Sequence, residues 1–307
     1  MIPPLKSISI EVSSVCNLSC KMCIPHRPGA KSRIDQPPFI NPDLFFSIVN
    51  QISQWSIVSP QFQGEPLMHP SFLTLCEYLN SKRIIFGFTT NGMLMDEVVT
   101  KELSRMDYFN SVIFSLDGFS KRTFESIRIG SNFERILSNI DYFLAYGKRP
   151  VGINFVIMEE NKNELDDFVY HWLRKNVTVS SAIVANEEGL PTRLYWGDSV
   201  RRTPCILEST IILTDGTVIP CCRDYKYQMK MGNVKNQKLW DIWIGVNYKR
   251  LRDFQNQRKW SEIYPCSDCM TWMCDSKEIT PRTIKMNGNI FCRQYPFWAQ
   301  YVKGYSW

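Results

Sequence analysis

Three cysteines follow one another closely near the start of the chain, at Cys16, Cys20 and Cys23. Three residues separate the first pair and two separate the second. Thiolates are soft ligands that select zinc, Cu(I) or iron–sulfur clusters. A structural zinc site or a four-iron cluster ordinarily takes four protein ligands, yet the next cysteine is Cys76. Three thiolates on a four-iron cluster leave one iron open for chemistry. The alternatives for these three cysteines are half of a zinc site or buried free thiols. Cys76 is interpreted as a buried thiol of the core.

The run from Cys16 to Cys23, CNLSCKMC, resembles the CxxxCxxC signature of the radical S-adenosylmethionine (SAM) enzymes. The resemblance implies a [4Fe–4S] cluster whose open iron binds the amino and carboxylate groups of SAM. It also implies reductive cleavage of SAM to a 5′-deoxyadenosyl radical, which takes a hydrogen atom from a substrate carbon. An electron donor such as flavodoxin or ferredoxin is then an expected partner. His26 and Arg27, which follow this run, are interpreted as solvated loop residues.

Further motifs that follow the predicted strands resemble the cofactor-binding positions of the same family. Gly64 and Glu65 match the motif that holds the SAM amino group, although Gln63 stands where the family often has glycine. At later strands the resemblance implies contacts to the cofactor from Asn91, to its ribose from Ser115 and Asp117, to its carboxylate from Arg128 and to its adenosine from Asn154. Without the family context, these residues are typical of strand-end turns, caps and surface positions.

The last third of the chain carries seven of the 11 cysteines. Their layout resembles the SPASM and twitch extensions of radical SAM enzymes, which hold auxiliary [4Fe–4S] clusters. The candidate ligands are Cys205, Cys221, Cys266, Cys269, Cys274 and Cys292. The favoured arrangement is twitch-like, because the further cysteine that the full SPASM pattern has shortly after Cys274 is missing. It places one auxiliary cluster between Cys205, Cys221, Cys266 and Cys269.

Two other arrangements of these cysteines stay open. In the first, the four cysteines from Cys266 to Cys292 surround one cluster, while Cys205 and Cys221, with or without Cys222, hold another incompletely. In the second, the set forms a zinc-ribbon site. Cys222 is spare if Cys221 is a ligand. It is therefore a candidate catalytic residue that returns a hydrogen atom to a substrate radical, as in radical SAM epimerases, and the alternative is a structural thiol.

The elements that must position these residues alternate along the first two-thirds of the chain. The predicted strands are Ser7–Val12, Ile57–Phe62, Ile84–Thr89, Ser111–Leu116, Val151–Met158 and Thr178–Val184. The predicted helices are Pro42–Gln54, capped by Asn41, then Ser71–Ser81, Met95–Arg105, Phe133–Ala145, which Gly147 ends, and Asn163–Lys175. Such strand–helix units predict an α/β fold with a parallel sheet. The resemblance implies an open (β/α)6 partial TIM-type barrel, with ligands at the carboxyl ends of the strands.

A change of composition between residues 186 and 203 predicts a domain boundary. Residues 1–200 are then the radical SAM core domain, and residues 201–307 are a small cysteine-rich α+β domain of the SPASM/twitch type. Within this second domain, Thr210–Pro220 is typical of a hairpin that carries Cys221 back beside Cys205.

Composition narrows the classes of function. The chain has 307 residues, 44% of them hydrophobic, and lacks both a long apolar run and a signal peptide, so a cytoplasmic protein without membrane contact is expected. Cysteines in that reducing compartment favour metal ligation or catalysis over disulfides. A net charge of +6 without a basic stripe argues against nucleic-acid binding, and three histidines argue against a histidine metal site.

The expected substrate is a sugar, an aminocyclitol or another small molecule, or a peptide, although no obvious leader-binding domain supports a peptide. The expected modification is an oxidation, an epimerisation or a bond formation. The functions that remain as alternatives are a zinc-stabilised binding module and a ferredoxin-like electron carrier.

Overall fold

The structure is a computed structural model, in which the described residues are 4–23, 36–183, 209–222, 224, 227–259, 262–264, 266–268, 283–286, 289–292 and 302–303. The strands are β1 (Ser7–Ile10), β2 (Ile57–Ser59), β3 (Ile85–Thr90), β4 (Phe109–Ser115), β5 (Val151–Ile157), β6 (Thr178–Ile183), β7 (Ser209–Ile212), β8 (Thr217–Ile219), β9 (Gly232–Asn233), β10 (Thr283–Met286), β11 (Asn289–Cys292) and β12 (Val302–Lys303). The α-helices are α1 (Pro42–Val49), α2 (Phe72–Ser81), α3 (Glu97–Ser104), α4 (Lys121–Ile127), α5 (Phe133–Tyr146), α6 (Leu165–Arg174), α7 (Leu239–Ile244) and α8 (Val246–Asn256).

Nine of the strands form one sheet in the order β6-β5-β4-β3-β2-β1-β7-β8-β9. Strands β1 to β6 each run parallel to their neighbours, as the alternation of strands and helices predicts. On the other side of β1, β7 also pairs in parallel, from Ser7 opposite Ser209 to Ile10 opposite Ile212. The hairpin partner β8 and then β9 continue the sheet in antiparallel pairing. The described residues thus confirm a parallel α/β core and show that it is extended by strands from the cysteine-rich tail.

The two faces of the parallel strands differ in character. On β4, Val112 and Phe114 are fully buried, whereas the alternate residues Ser111 and Ser115 are half-buried. Helices cover the apolar face, and the ring of Phe143 in α5 packs edge-on against Phe114 with centroids 6.1 Å apart. Full burial of a side chain of this kind contributes about 1.5–3 kcal/mol. The apolar face therefore stabilises the fold and leaves a polar, partly exposed face for ligands.

Several element boundaries differ from the sequence-based prediction, and two of the differences, a shortened strand and an added helix, have clear local reasons. Strand β2 stops at Ser59 because Pro60 has no backbone N–H to continue the ladder. Helix α4 was not predicted, since it has only seven residues and owes its start to Ser120, whose hydroxyl accepts a hydrogen bond from the Thr123 amide.

Two predicted helix ends are confirmed, whereas α1 stops at Val49, before the predicted end at Gln54. The side chain of Asn41 caps α1 by accepting from the amides of Asp43 and Leu44. Gly147 ends α5, but with a right-handed φ of −71°. A Cβ at this position would lie 2.6 Å from the carbonyl oxygen of Phe143, so close packing is what requires glycine there. Cys76 is fully buried in α2, which confirms its interpretation as core.

The tail has two groups of strands. The predicted hairpin is confirmed as β7 and β8, and α7 and α8 follow it. Strands β10, β11 and β12 form a separate antiparallel sheet. The boundary predicted between residues 186 and 203 lies outside the described residues. Within the part of the chain that is described, the search for an apolar helix of bilayer-spanning length finds none.

Candidate metal centre

The loop with the three cysteines leaves the carboxyl end of β1, as predicted. Cys20 is buried, while Cys16 and Cys23 are half-buried. The stretch after α4 runs beside this loop: Lys21 donates its amide to the Ile127 carbonyl at 3.0 Å, and Ser19 donates to that of Ile129 at 2.9 Å. The cysteine loop is therefore fixed by backbone hydrogen bonds to a segment more than 100 residues away in sequence.

The loop after β2 supports the cysteine loop from another side. A Cβ on Gly64 would lie 2.7 Å from the carbonyl oxygen of Val15, and closer still to that of Ser13. The next residue, Glu65, donates its amide to the Val15 carbonyl at 2.9 Å. Only glycine permits this approach of two backbones. The close contact at Gly64 and the hydrogen bond from Glu65 therefore fix the position of the chain that leads into Cys16.

The carboxylate of Glu65 is buried and ties β2 to the end of β3. It accepts hydrogen bonds from the Thr90 hydroxyl at 2.7 Å, the Asn91 amide at 2.8 Å and the Leu67 amide at 3.2 Å. Burial raises the pKa of Glu65, and the three hydrogen bonds oppose that rise. A carboxylate offers about four acceptor positions, so one remains for a ligand.

Asn91 connects the end of β3 to the first cysteine. Its side-chain amide donates to the Asn17 side-chain oxygen at 2.7 Å and lies 3.7 Å from the Cys16 sulfur. The Leu18 amide approaches the same sulfur at 3.5 Å. Gly92 follows with a φ of +81°, a left-handed turn that favours glycine. The Asn-Gly pair thus turns the chain and also presents an N–H donor to Cys16.

A buried ion pair approaches the second cysteine. Asp117 is fully buried, and its Oδ2 accepts from both Nε and Nη2 of Arg128 at 2.7 Å. The other oxygen accepts from the Val156 amide at 2.6 Å. With Nε and Nη2 held by Asp117, the guanidinium of Arg128 directs Nη1 at the Cys20 sulfur, 3.8 Å away. The structure thus brings Asp117, Arg128 and Cys20 together, and Arg128 faces a thiol.

The charges of this pair depend on each other. Burial raises the pKa of Asp117, and the positive charge of Arg128 pulls it back. Burial alone would lower the pKa of Arg128, but the charge of the Asp117 carboxylate and its hydrogen bond to Arg128 outweigh burial, so the net shift is upward. Arg128 therefore stays charged beside the cysteine loop, where it favours a thiolate at Cys20.

Three supporting residues were not among the predicted site residues. Asn161 is fully buried and donates its side-chain amide to the carbonyls of Asp117 and Val156 at 2.9 and 2.8 Å. Its contact with Val156 is local, but no local pattern links it to Asp117, 44 positions away. Asn17 lies inside the cysteine motif and Thr90 directly precedes Asn91, and these positions are the signal that marks them.

Ser115 and Asn154 lie side by side on neighbouring strands, since they are partners in the register of β4 and β5. Both are half-buried on the face opposite the helices. They therefore border the open face at the carboxyl end of the sheet, the edge from which the cysteine loop rises.

The donor set fits an iron–sulfur cluster, because all three candidate ligands are soft thiols and a four-iron cluster binds each of them at a separate iron. Among the described residues, no three histidine, cysteine or acidic side chains are close enough to hold one metal ion. Burial raises the pKa of the Cys16 and Cys20 thiols, so binding of the metal itself must drive their deprotonation.

The tail cysteines are only partly described. Cys221 is half-buried, Cys222 is exposed and Cys266 is buried in a short 3₁₀ turn. Cys292 lies in β11, and its side chain is not described. Cys205, Cys269 and Cys274 lie outside the described residues, as do His26 and Arg27. The composition of the auxiliary site therefore stays a prediction.

Comparison with protein families gives two matches. The family model of the radical SAM superfamily matches residues 10–169, which include the cysteine loop and the carboxyl ends of β1 to β5. The model of an iron–sulfur cluster-binding domain, SPASM, matches residues 205–270.

Two curated relatives differ in how much of the chain they share. The tungsten-containing aldehyde ferredoxin oxidoreductase cofactor-modifying protein of Pyrococcus furiosus is 24% identical over 86% of this chain and 87% of its own length. A GTP 3′,8-cyclase of Clostridium botulinum is 30% identical over 53% of this chain and 51% of its own length.

Solved structures share the fold. BtrN, crystallised with AdoMet and 2-DOIA, has a TM-score of 0.58 and 17% identity, over 88% of this chain and 94% of its own. SuiB of Streptococcus suis, bound to the precursor peptide SuiA, has a TM-score of 0.61 and 17% identity, over 83% of this chain and 68% of its own. The open partial TIM-type barrel with a C-terminal extension is thereby confirmed.

The matched domains also define the cofactors, which are SAM with its [4Fe–4S] cluster for the first domain and auxiliary iron–sulfur clusters for the second. The chain belongs to the radical SAM superfamily and carries a C-terminal SPASM-type extension.

Proposed function

We propose that this protein is a radical SAM enzyme that abstracts a hydrogen atom from a carbon of a small polar molecule, with Cys16, Cys20 and Cys23 as the ligands of the SAM-binding cluster. The observation that carries the proposal is the convergence of N–H donors on these thiols. Asn91 from β3 faces Cys16, and Arg128 from the turn after α4 faces Cys20. Hydrogen bonds of this kind orient the ligands of a metal, and thiols that bind no metal do not require them.

When bound, the cluster and SAM supply a 5′-deoxyadenosyl radical, and the chain supplies orientation and exclusion of water. Gly64 and the remaining acceptor position of Glu65 are proposed to receive the SAM amino group. Ser115 and Asn154, on the open face, are proposed to contact its ribose and adenosine. These four residues lie at the carboxyl ends of β2, β4 and β5, within one edge of the sheet.

Asp117, Arg128 and Asn91 have proposed roles that the observed contacts refine. Both oxygens of Asp117 already accept hydrogen bonds, so a contact to the SAM ribose would use a second lone pair. The position of Arg128 against Cys20 supports a role on the cluster in addition to the contact with the SAM carboxylate. Asn91 supports the cluster in the same way, through Cys16.

A small hydroxylated or cofactor-like substrate is favoured over a peptide. The open face of the sheet presents hydroxyl and amide side chains, as at Ser9, Thr89, Ser115 and Asn154. Coverage of the solved structures does not separate the two classes, because the likeness covers 94% of BtrN, whose crystals contain 2-DOIA, and 92% of anSMEcpe, whose crystals contain the Cp18Cys peptide. A peptide is the second candidate. We place the enzyme in the reducing cytoplasm with a flavodoxin or ferredoxin as electron donor, since free thiolates and clusters persist there.

The test is anaerobic incubation of reconstituted protein with SAM and dithionite, followed by mass spectrometry of 5′-deoxyadenosine. We expect about eight irons per chain for two four-iron clusters. We also expect 5′-deoxyadenosine from the parent protein, and none from the matched variant with Cys16, Cys20 and Cys23 all changed to alanine. Deuterium transfer from labelled candidate sugars, aminocyclitols and peptides into 5′-deoxyadenosine then identifies the substrate class. Fully iron-loaded protein that cleaves no SAM contradicts the proposal, and zinc without iron supports the binding-module alternative.

Cys222 is proposed to return a hydrogen atom to the substrate radical, because it is exposed and stands next to a predicted cluster ligand. We expect Cys222→Ala to lower product formation by about tenfold or more, a barrier change of about 1.4 kcal/mol, while 5′-deoxyadenosine is still formed. For the parent protein in D₂O, one deuterium from the exchangeable thiol should appear in the product. Full product formation by Cys222→Ala makes this residue a structural thiol.

A further inference from the structure

One face of α8 buries two polar side chains that the proposed function does not use. Arg252 and Gln255 are 8% and 1% exposed, and they stand three residues apart, on the same face of the helix. Arginine is among the residues least often buried without a partner. Their burial therefore requires a physical reason.

The guanidinium of Arg252 is held in place but incompletely bonded. Its centre lies 4.2 Å from the ring centroid of Trp243 and 5.2 Å from that of Tyr248. Nη1 donates to the Trp243 carbonyl at 2.9 Å. Nε and Nη2 are buried and have no hydrogen-bond partner among the described residues.

Nε and Nη2 of Arg252 form the edge of the guanidinium with which arginine commonly binds anions. The chain shows this use elsewhere, because Nε and Nη2 of Arg128 both contact one oxygen of Asp117. Arg252 packs against two rings and presents an aligned, positively charged pair of N–H donors to an acceptor that the described protein atoms do not provide.

One of the predicted auxiliary-cluster ligands, Cys266, lies against the same face of α8. Gln255 directs Nε2 at the Cys266 sulfur, 3.8 Å away, and its Oε1 has no described partner. Cys266 itself is 3% exposed.

We propose that Arg252 donates through its Nε/Nη2 edge to a sulfur of the auxiliary [4Fe–4S] cluster and raises the reduction potential of that cluster, while Gln255 holds the Cys266 thiolate. Hydrogen bonds and positive charge at cluster sulfurs stabilise the reduced form, which carries the larger negative charge. This inference rests on the proposed assignment of Cys221 and Cys266 as ligands.

The first test isolates the auxiliary site in the variant whose Cys16, Cys20 and Cys23 are alanine. About four irons per chain are expected there, and iron-free protein contradicts the ligand assignment rather than the role of Arg252 alone. In this background, an EPR-monitored redox titration compares Arg252→Met with Lys249→Met. Lys249 is an exposed residue of the same helix, so its variant loses the same charge.

We expect a shift of the auxiliary potential to more negative values in Arg252→Met and none in Lys249→Met. An unchanged potential in iron-loaded Arg252→Met overturns the proposal. If Arg252→Met does not fold by circular dichroism, Arg252→Gln, which keeps a polar stem without the charge, takes its place under the same criteria.

A second measurement needs no folded variant at position 252. Protein labelled with [guanidino-¹⁵N]arginine, again without the three N-terminal cysteines, is reduced and studied by pulsed EPR. A resolved ¹⁵N hyperfine coupling to the auxiliary cluster is expected, because an N–H donor transfers spin density from a cluster sulfur. The absence of any arginine nitrogen coupling in iron-loaded protein contradicts the contact.

Discussion

Gly64→Ala is expected to strip iron from the N-terminal cluster site and to abolish SAM cleavage. The added methyl group would meet the carbonyl oxygens of Ser13 and Val15, the second at 2.7 Å. Both are backbone atoms on the chain that enters the cysteine loop, so neither can move aside as a flexible side chain does. Overpacking of this kind costs about 1–3 kcal/mol, and here the strain falls on the segment that positions Cys16.

Iron content, 5′-deoxyadenosine formation and thermal unfolding of the variant measure these effects. The matched control is Gly152→Ala in β5, where the added methyl group would meet the side chain of Ile113 at 3.2 Å instead of backbone. The control is expected to keep its iron and its SAM cleavage. Gly64→Ala protein with a full cluster and unchanged SAM cleavage would show that the cysteine loop does not depend on this backbone contact.

Asp117→Asn is expected to destabilise the protein by about 3–5 kcal/mol, because it leaves the charge of Arg128 buried without its partner. The two side chains are 0% and 8% exposed, so solvent cannot replace the lost carboxylate. Arg128 is then free to leave its position 3.8 Å from Cys20, and we expect a changed EPR signal of the N-terminal cluster.

Chemical denaturation measures the stability of Asp117→Asn. Glu134→Gln is the control, because it breaks the exposed pair with Lys121, which is worth about 0–1 kcal/mol. The double variant Asp117→Asn/Arg128→Met should recover part of the lost stability, since it no longer buries an unpaired charge. A single variant as stable as the control would mean that Arg128 finds solvent or another anion without difficulty.

Patterns local in sequence predicted much of this molecule. The periodicity of the strands and helices located six parallel strands, and the spacing of three cysteines placed a metal site at the carboxyl edge. Gly64, Glu65 and Asn91 were identified because their strand-end motifs resemble the cofactor-binding positions of the family, whereas the turn signals alone are common in any protein. In each case the informative residues lie within a few positions of one another.

The contacts that could not be predicted from the sequence join residues that are far apart in the chain. Arg128 faces Cys20 across 108 positions, and no spacing rule relates the two. Asn161 braces Asp117 from another strand end, 44 positions away. The same applies to β7, whose pairing with β1 joins residues about 200 positions apart. Arg252 likewise has the sequence context of an ordinary charged helix residue, and only its burial distinguishes it.

The ladder between β1 and β7 bears on how the two proposed cluster sites are joined. The two strands are in register from end to end, Ile10 lies opposite Ile212, and the Glu11 amide still donates to the Ile212 carbonyl at 2.8 Å. One strand leads into the cysteine loop, and the other opens the hairpin that leads to Cys221. The proposed ligands Cys16 and Cys221 therefore follow strands of one continuous ladder, so no hinge lies between β1 and β7.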